Sequence, residues 1–196
     1  MPKIAHERFY LSSFLKYNYN AKSLNWASKE NQILRFEKIY EAIKDDIKTA
    51  TIVDVGCGFG DFYLFLKRKN TLPKKYIGIE ILKEFADIAK KNTSATIINA
   101  DFLTLTPPKA IYYICSGALN TLDKFESYLF IQKALKYATK GFVFNFLYGD
   151  KESDMYNYIS KEELKKLIKG YKIFYKASNY IKNDMTVGIC VQSLES

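Results

Sequence analysis

The sequence predicts an α/β protein, because short apolar runs rich in β-branched and aromatic residues alternate with longer amphipathic stretches along its 196 residues. Two further observations support this class: the runs are apolar throughout, as strands of a parallel sheet buried on both faces are, and the first of them breaks directly into glycines. The runs cover residues 51–55, 76–80, 96–99, 111–115 and 141–147, with helical stretches at 61–69, 82–91 and 123–137 between them. Ahead of the first strand, residues 31–47 place Ile33, Phe36, Tyr40, Ile43 and Ile47 on one helical face and leave Gln32 and Arg35 to one side of it. Asp123 with Glu126, and Ser160 with Glu163, have the spacing of a capping box, and Gly170 suits the stop of the helix begun at Ser160. The runs 171–177 and 185–191 predict a closing pair of strands.

The length fits one domain, here 1–196, with an N-terminal helical segment over 1–48 and the core over 49–196. Apolar stretches fall short of the roughly 20 residues needed to span a bilayer, and the first ten residues mix charge with apolar side chains. A cytoplasmic protein without membrane association is therefore expected. Cys57, Cys115 and Cys190 are widely spaced and form no Cys-x-x-Cys pair, which predicts free thiols and no metal site. The net charge of +9 comes from lysines scattered through nearly every segment rather than clustered, so a nucleic-acid partner is not favoured. His6, the only histidine, lies so near the terminus that no catalytic role is assigned to it.

Chemistry enters at Asp54-Val-Gly56-Cys57-Gly58-Phe-Gly60-Asp61, where a buried strand meets the start of a helix. Glycines there permit a tight turn and close approach of a ligand to the positively polarised helix end. A dinucleotide fingerprint requires glycine at position 61, where Asp61 stands, and a Walker loop requires Gly-Lys-Ser/Thr after a longer gap, which is lacking. NAD and nucleoside triphosphates are thereby disfavoured. Glu80 closes the second strand twenty residues beyond Gly60, where a carboxylate can accept two hydroxyl hydrogens.

The run Asp54-x-Gly56-x-Gly58-x-Gly60 resembles the first motif of class I S-adenosylmethionine-dependent methyltransferases. That resemblance implies a Rossmann-like seven-stranded mixed sheet of order 3-2-1-4-5-7-6, with strand 7 antiparallel and helices on both faces. It implies S-adenosylmethionine as cofactor and S-adenosylhomocysteine as its product. Gly56, Gly58 and Gly60 would line the aminoacyl part, Cys57 between them would belong to the cofactor site, Asp54 would organise the loop, and Glu80 would take the ribose. Ala100-Asp101-Phe102 looks like the adenine site, with Asp101 facing the exocyclic amine, Phe102 against the ring and Ile81 over the opposite face. Arg35 would pair with the cofactor carboxylate if its helix crosses the glycine loop. Ser116, Gly117 and Asn120 follow the fourth strand, where methyl and acceptor should meet.

The segments 26–36, containing Trp26 and Arg35, 116–120 and 142–146, containing Asn145, resemble in order those of a poorly characterised bacterial subgroup of the same family. Trp26, Gly117, Asn120 and Asn145 are accordingly candidates for the substrate region, and Tyr148, Tyr156 and Tyr158 for an aromatic lid. The catalytic base and oligomeric state are left unassigned. Pro107-Pro108 precede strand four and Cys115 lies within it, which disfavours the exocyclic-amine and cytosine-C5 classes of DNA enzyme. A small-molecule acceptor leads, with RNA or protein acceptors and a non-catalytic cofactor-binding protein as alternatives.

Overall fold

The computed structural model describes residues 28–193. Its first element, α1 (Lys29–Ile43), is capped by Ser28, whose hydroxyl accepts the Asn31 N–H at 3.2 Å. There follow β1 (Thr51–Val55), α2 (Asp61–Arg68), β2 (Lys75–Glu80), α3 (Lys83–Asn92), β3 (Thr96–Asn99) and β4 (Ala110–Ser116). A 3₁₀ turn (Ala118–Asn120) leads to α4 (Lys124–Tyr137), β5 (Ala138–Tyr148), β6 (Tyr158–Ile159), α5 (Lys161–Leu167), β7 (Tyr171–Ser178) and β8 (Asp184–Ser193). Both expected capping boxes form, at Asp123/Glu126 and Ser160/Glu163.

The sheet runs β3-β2-β1-β4-β5-β8-β7, with β1 to β5 parallel and β8 antiparallel to both of its neighbours. This is the expected order, with β7 and β8 as its sixth and seventh strands. The eighth strand, β6, was not expected. Two residues long, it pairs with Leu147 and Tyr148 of β5 beyond the point where β4 ends, too short for any periodic signal.

Apolar layers cover both faces. On one, Phe130, Ile131 and Leu135 of α4 pack against Tyr113, Phe142, Phe144 and Phe146; on the other, α1 and α2 bring Phe36, Ile39, Phe62 and Phe65 against Ile52, Ile114 and Val143. Each such fully buried side chain contributes roughly 1.5–3 kcal/mol. The face of α1 differs from the expected one: Gln32, Phe36, Ile39 and Ile43 are buried, whereas Ile33 and Tyr40 are only partly so. The helix also stops at Ile43, and the chain turns through 44–49 to carry Ile47 into the core. The sheet, rather than the periodicity alone, selects which stripe faces inward. Among the described residues no helix is long and apolar enough to cross a membrane. The strand ends that carry β1, β2 and β4 into their loops lie side by side, which sets the site.

Candidate cofactor and acceptor site

The glycine loop joins β1 to α2 with Gly56, Gly58 and Gly60 at φ +75°, +55° and +81°, backbone that other residues rarely adopt. Two of these positions are also closed sterically. A Cβ at Gly56 would lie 2.9 Å from Ala118 Cβ, and one at Gly60 would lie 2.5 Å from Thr93 Cγ2. The loop hangs on the end of β2, because the N–H groups of Gly56 and Cys57 donate to Ile79 O at 2.8 and 3.2 Å, and that of Gly58 donates to Glu80 Oε2 at 2.9 Å. Glu80 Oε1 accepts the Leu82 N–H at 3.0 Å. The acid at the end of β2 thus shapes the loop as well as facing it.

Three carboxyl groups gather here, those of Asp54 and Glu80 buried and that of Asp61 half-buried. Asp54 accepts from the Tyr76 hydroxyl, Asp61 Oδ2 accepts from Gln32 Nε2 at 3.2 Å, and Glu80 takes the two N–H groups above. Burial pushes all three above the ordinary carboxyl range, Asp54 to about 7, where repulsion from Glu80 and Asp61 adds to burial and the Tyr76 hydrogen bond opposes it. Burial likewise raises the Cys57 thiol, whose Sγ packs so tightly over Gly78 that a Cβ there would be 2.6 Å away.

Two adjoining cavities open along these strand ends, about 140 and 100 Å³ in volume. The larger is bordered by Asp54, the glycine loop from Gly56 to Gly58, and Glu80, with Arg35, Ser116, Gly117 and Asn120 opposite. Asp101 and Phe102 line the smaller, and Gly56 and Ile81 belong to both. Gly60 lines neither; it stands behind the loop as the N-cap of α2.

Several expected residues do more structural work than their spacing suggests. Phe102 is a core aromatic as well as a cavity wall, 4.8 Å from Phe130 between ring centroids, and Asp101 Oδ1 accepts the Leu103 N–H at 2.9 Å. Asn120 braces two segments: its Oδ1 accepts the Leu147 N–H at 2.9 Å and its carbonyl accepts the Asn157 N–H at 2.8 Å. Asn145 is fully buried and sits behind Ser116, donating to its Oγ at 3.3 Å rather than lining a cavity. Arg35 reaches the larger cavity as expected, yet its Nε and Nη2 also bind Asp184 Oδ2 at 2.7 and 2.6 Å. Trp26 lies outside the described residues, as does His6. Of the lid candidates, Tyr156 lines the larger cavity, Tyr148 packs against the core and Tyr158 borders a third cavity. The sequence reading missed Asp184, Tyr76 and Thr121; only the alternation of their strands or the nearby glycines could have pointed to them.

Residues 52–141 match the family model described as a methyltransferase domain. No curated protein matches the sequence. Among solved structures, the magnesium protoporphyrin IX methyltransferase of Synechocystis PCC 6803 with bound S-adenosylhomocysteine is 14% identical with a TM-score of 0.67, over 81% of this chain and 82% of that one. A Pyrococcus horikoshii OT3 protein is 13% identical with a TM-score of 0.68, over 85% and 92% of the two chains. The pyocyanin biosynthetic protein PhzM is 16% identical with a TM-score of 0.69, over 91% of this chain and 61% of that one. The fold is that of the class I S-adenosylmethionine-dependent methyltransferases. The stretch matched by the family model, residues 52–141, is the half of the sheet that carries the glycine loop.

Proposed function

We propose that this chain, working as a single domain in the cytoplasm, binds S-adenosylmethionine and transfers its methyl group to a small-molecule acceptor. The observation that carries the reading is the glycine loop suspended from Glu80 at the junction of two cavities that continue along three strand ends. The residues fit the cofactor. Positions 56 and 58 leave backbone bare where a ligand must approach, and the Glu80 oxygens, each holding one N–H, keep lone pairs for ribose hydroxyls. Ile81 and Phe102 bracket a cavity suited to a flat ring, with Asp101 at its edge. Arg35, steadied by Asp184, presents a guanidinium to the cofactor carboxylate.

When bound, the cofactor supplies a methyl group already activated on a sulfonium. The chain's part is alignment and exclusion of water. Ser116, Gly117 and Asn120 border the space next to the glycine loop, and Phe36, Phe62, Leu82 and Phe85 add apolar surface beside the polar Gln32, Asp61 and Thr121. The scale of these cavities supports a small acceptor, as does the likeness in fold to a magnesium protoporphyrin IX methyltransferase and to a pyocyanin biosynthetic protein. Calorimetric titration with S-adenosylmethionine, S-adenosylhomocysteine and NAD tests the reading. Binding of the first two alone is expected; binding of NAD alone would overturn it.

A further inference from the structure

Helix α1 sends two polar side chains to the larger cavity, Gln32 and Arg35. They stand one turn apart on the helix, which puts their Cβ atoms roughly 5–6 Å from each other. A polar side chain in a buried stripe is costly unless it is hydrogen-bonded. Gln32 is 5% exposed, and its Nε2 donates to Asp61 Oδ2 at 3.2 Å. The amide is thus a strut from α1 to the first residue of α2, and it holds a carboxylate on the side of the cavity where Arg35 arrives.

Asp61 differs from the other acids that border this cavity. Asp54 and Glu80 are 3% and 6% exposed, and Glu80 already holds two backbone N–H groups. Asp61 is half-buried, and its Oδ1 takes no hydrogen bond among the described residues. The unpaired oxygens sealed from solvent there are those of Asn145 and Asp184; Asp61 Oδ1 is not one of them and stays open to the cavity that its side chain lines. Burial holds the Asp61 carboxyl above its ordinary range, an effect that the Gln32 hydrogen bond and the attraction of Lys29 and Arg68 offset only in part. A carboxylate so placed gains from a cation brought beside it.

Arg35 supplies the opposite charge, steadied by the bonds of its Nε and Nη2 to Asp184 at 2.7 and 2.6 Å. Phe36 and Phe62 stand beside the two charges, and apolar surface strengthens an ionic contact by displacing water. One end of the cavity therefore offers an acid and a base together, the complement of an ammonium and a carboxylate carried on one carbon.

Resting on the methyl-transfer reading, we propose that Asp61 binds the ammonium of the cofactor's amino-acid tail, with Gln32 as its positioning residue, so that Asp61 and Arg35 together select a zwitterion. A nucleoside thioether without the amino-acid tail satisfies neither charge, and one lacking only the carboxylate satisfies Asp61 alone.

The test is calorimetric titration of the full chain with S-adenosylhomocysteine, its deamino analogue and its decarboxy analogue. Both analogues should bind the parent at least about tenfold more weakly than S-adenosylhomocysteine. Asp61→Asn keeps the shape and an acceptor for Gln32 while removing the charge; it should weaken S-adenosylhomocysteine about tenfold and leave the deamino analogue within about twofold of the parent. Gln32→Met should narrow the same ratio, and adding it to Asp61→Asn should narrow it no further, a coupling that a merely structural role would not produce. Equal binding of S-adenosylhomocysteine and its deamino analogue by the parent overturns the assignment without any variant, so the test survives a variant that fails to fold. Asp61→Asn weakening both ligands alike, or neither, also overturns it. Failure of the parent to bind S-adenosylhomocysteine instead overturns the methyl-transfer reading beneath it.

Discussion

The Glu80 carboxylate accepts the N–H of Gly58 at 2.9 Å across 22 residues of sequence, and so builds the glycine loop from the neighbouring strand. Glu80→Ala should therefore do two things. It strands the N–H groups of Gly58 and Leu82, costing about 1–3 kcal/mol of stability, and it removes the ribose acceptor of the proposed site, so S-adenosylmethionine affinity should fall at least about tenfold. Glu80→Gln keeps an acceptor oxygen and should lose less stability while still weakening binding. Denaturant unfolding beside calorimetry reads both; equal cofactor affinity in parent and Glu80→Ala would remove Glu80 from the site.

Gly60 is fixed by shape as well as by φ. Gly60→Ala meets about 1–2 kcal/mol of left-handed strain and about 1–3 kcal/mol of overpacking against Thr93. Thr93→Ser removes the clashing Cγ2 while keeping the hydroxyl that donates to Ala89 O. Adding it to Gly60→Ala should recover the packing part and leave the strain. No recovery in urea midpoints would place the whole cost in the backbone.

Asp54 predicts a pH dependence of folding. Its carboxyl is raised from 3.8 to about 7 by burial in the folded chain, so between those pH values the native state holds a proton that the unfolded chain has released. Its contribution is fully present below about pH 4, declines as pH rises toward about 7, and is flat above that. Asp61 and Glu80, also raised, act with the same sign. Melting temperatures from about pH 4 to about pH 8 should fall more steeply in the parent than in Asp54→Asn; parallel curves would contradict the account of Asp54.

The Arg35–Asp184 pair is unequal. The Asp184 side chain is fully buried while that of Arg35 is 12% exposed, so Arg35→Ala leaves a carboxylate with no exit and Asp184→Ala leaves a guanidinium that can turn to water. Arg35→Ala should cost about 3–5 kcal/mol and Asp184→Ala less. Because burial already raises the Asp184 carboxyl, its protonation at low pH should narrow the Arg35→Ala deficit. Unfolding of both variants at two pH values checks the ranking and the trend.

What the sequence by itself determined is local or repetitive. The alternation of apolar runs and amphipathic stretches marks the sheet and its helices, the capping boxes mark the starts of α4 and α5, and the three glycines mark a turn that only glycine makes easily. Each signal depends on residues within a few positions of one another, whose backbone geometry constrains their identity. The strand order had a different source, since it was implied by family resemblance and then realised in the pairing.

Tertiary packing decided the rest. Ile39 replaced Tyr40 on the inner stripe of α1 because the sheet surface fixes how that helix turns. Asn120 became a brace and Asn145 a buried residue behind Ser116 because their neighbours arrive from other strands and loops. Arg35 meets Asp184 across 149 residues only because β8 inserts beside β5 beneath α1. No spacing in the chain encodes such a meeting. It arises where buried charges must find partners in a volume from which water is excluded, and that volume exists only once the sheet and helices have closed around it.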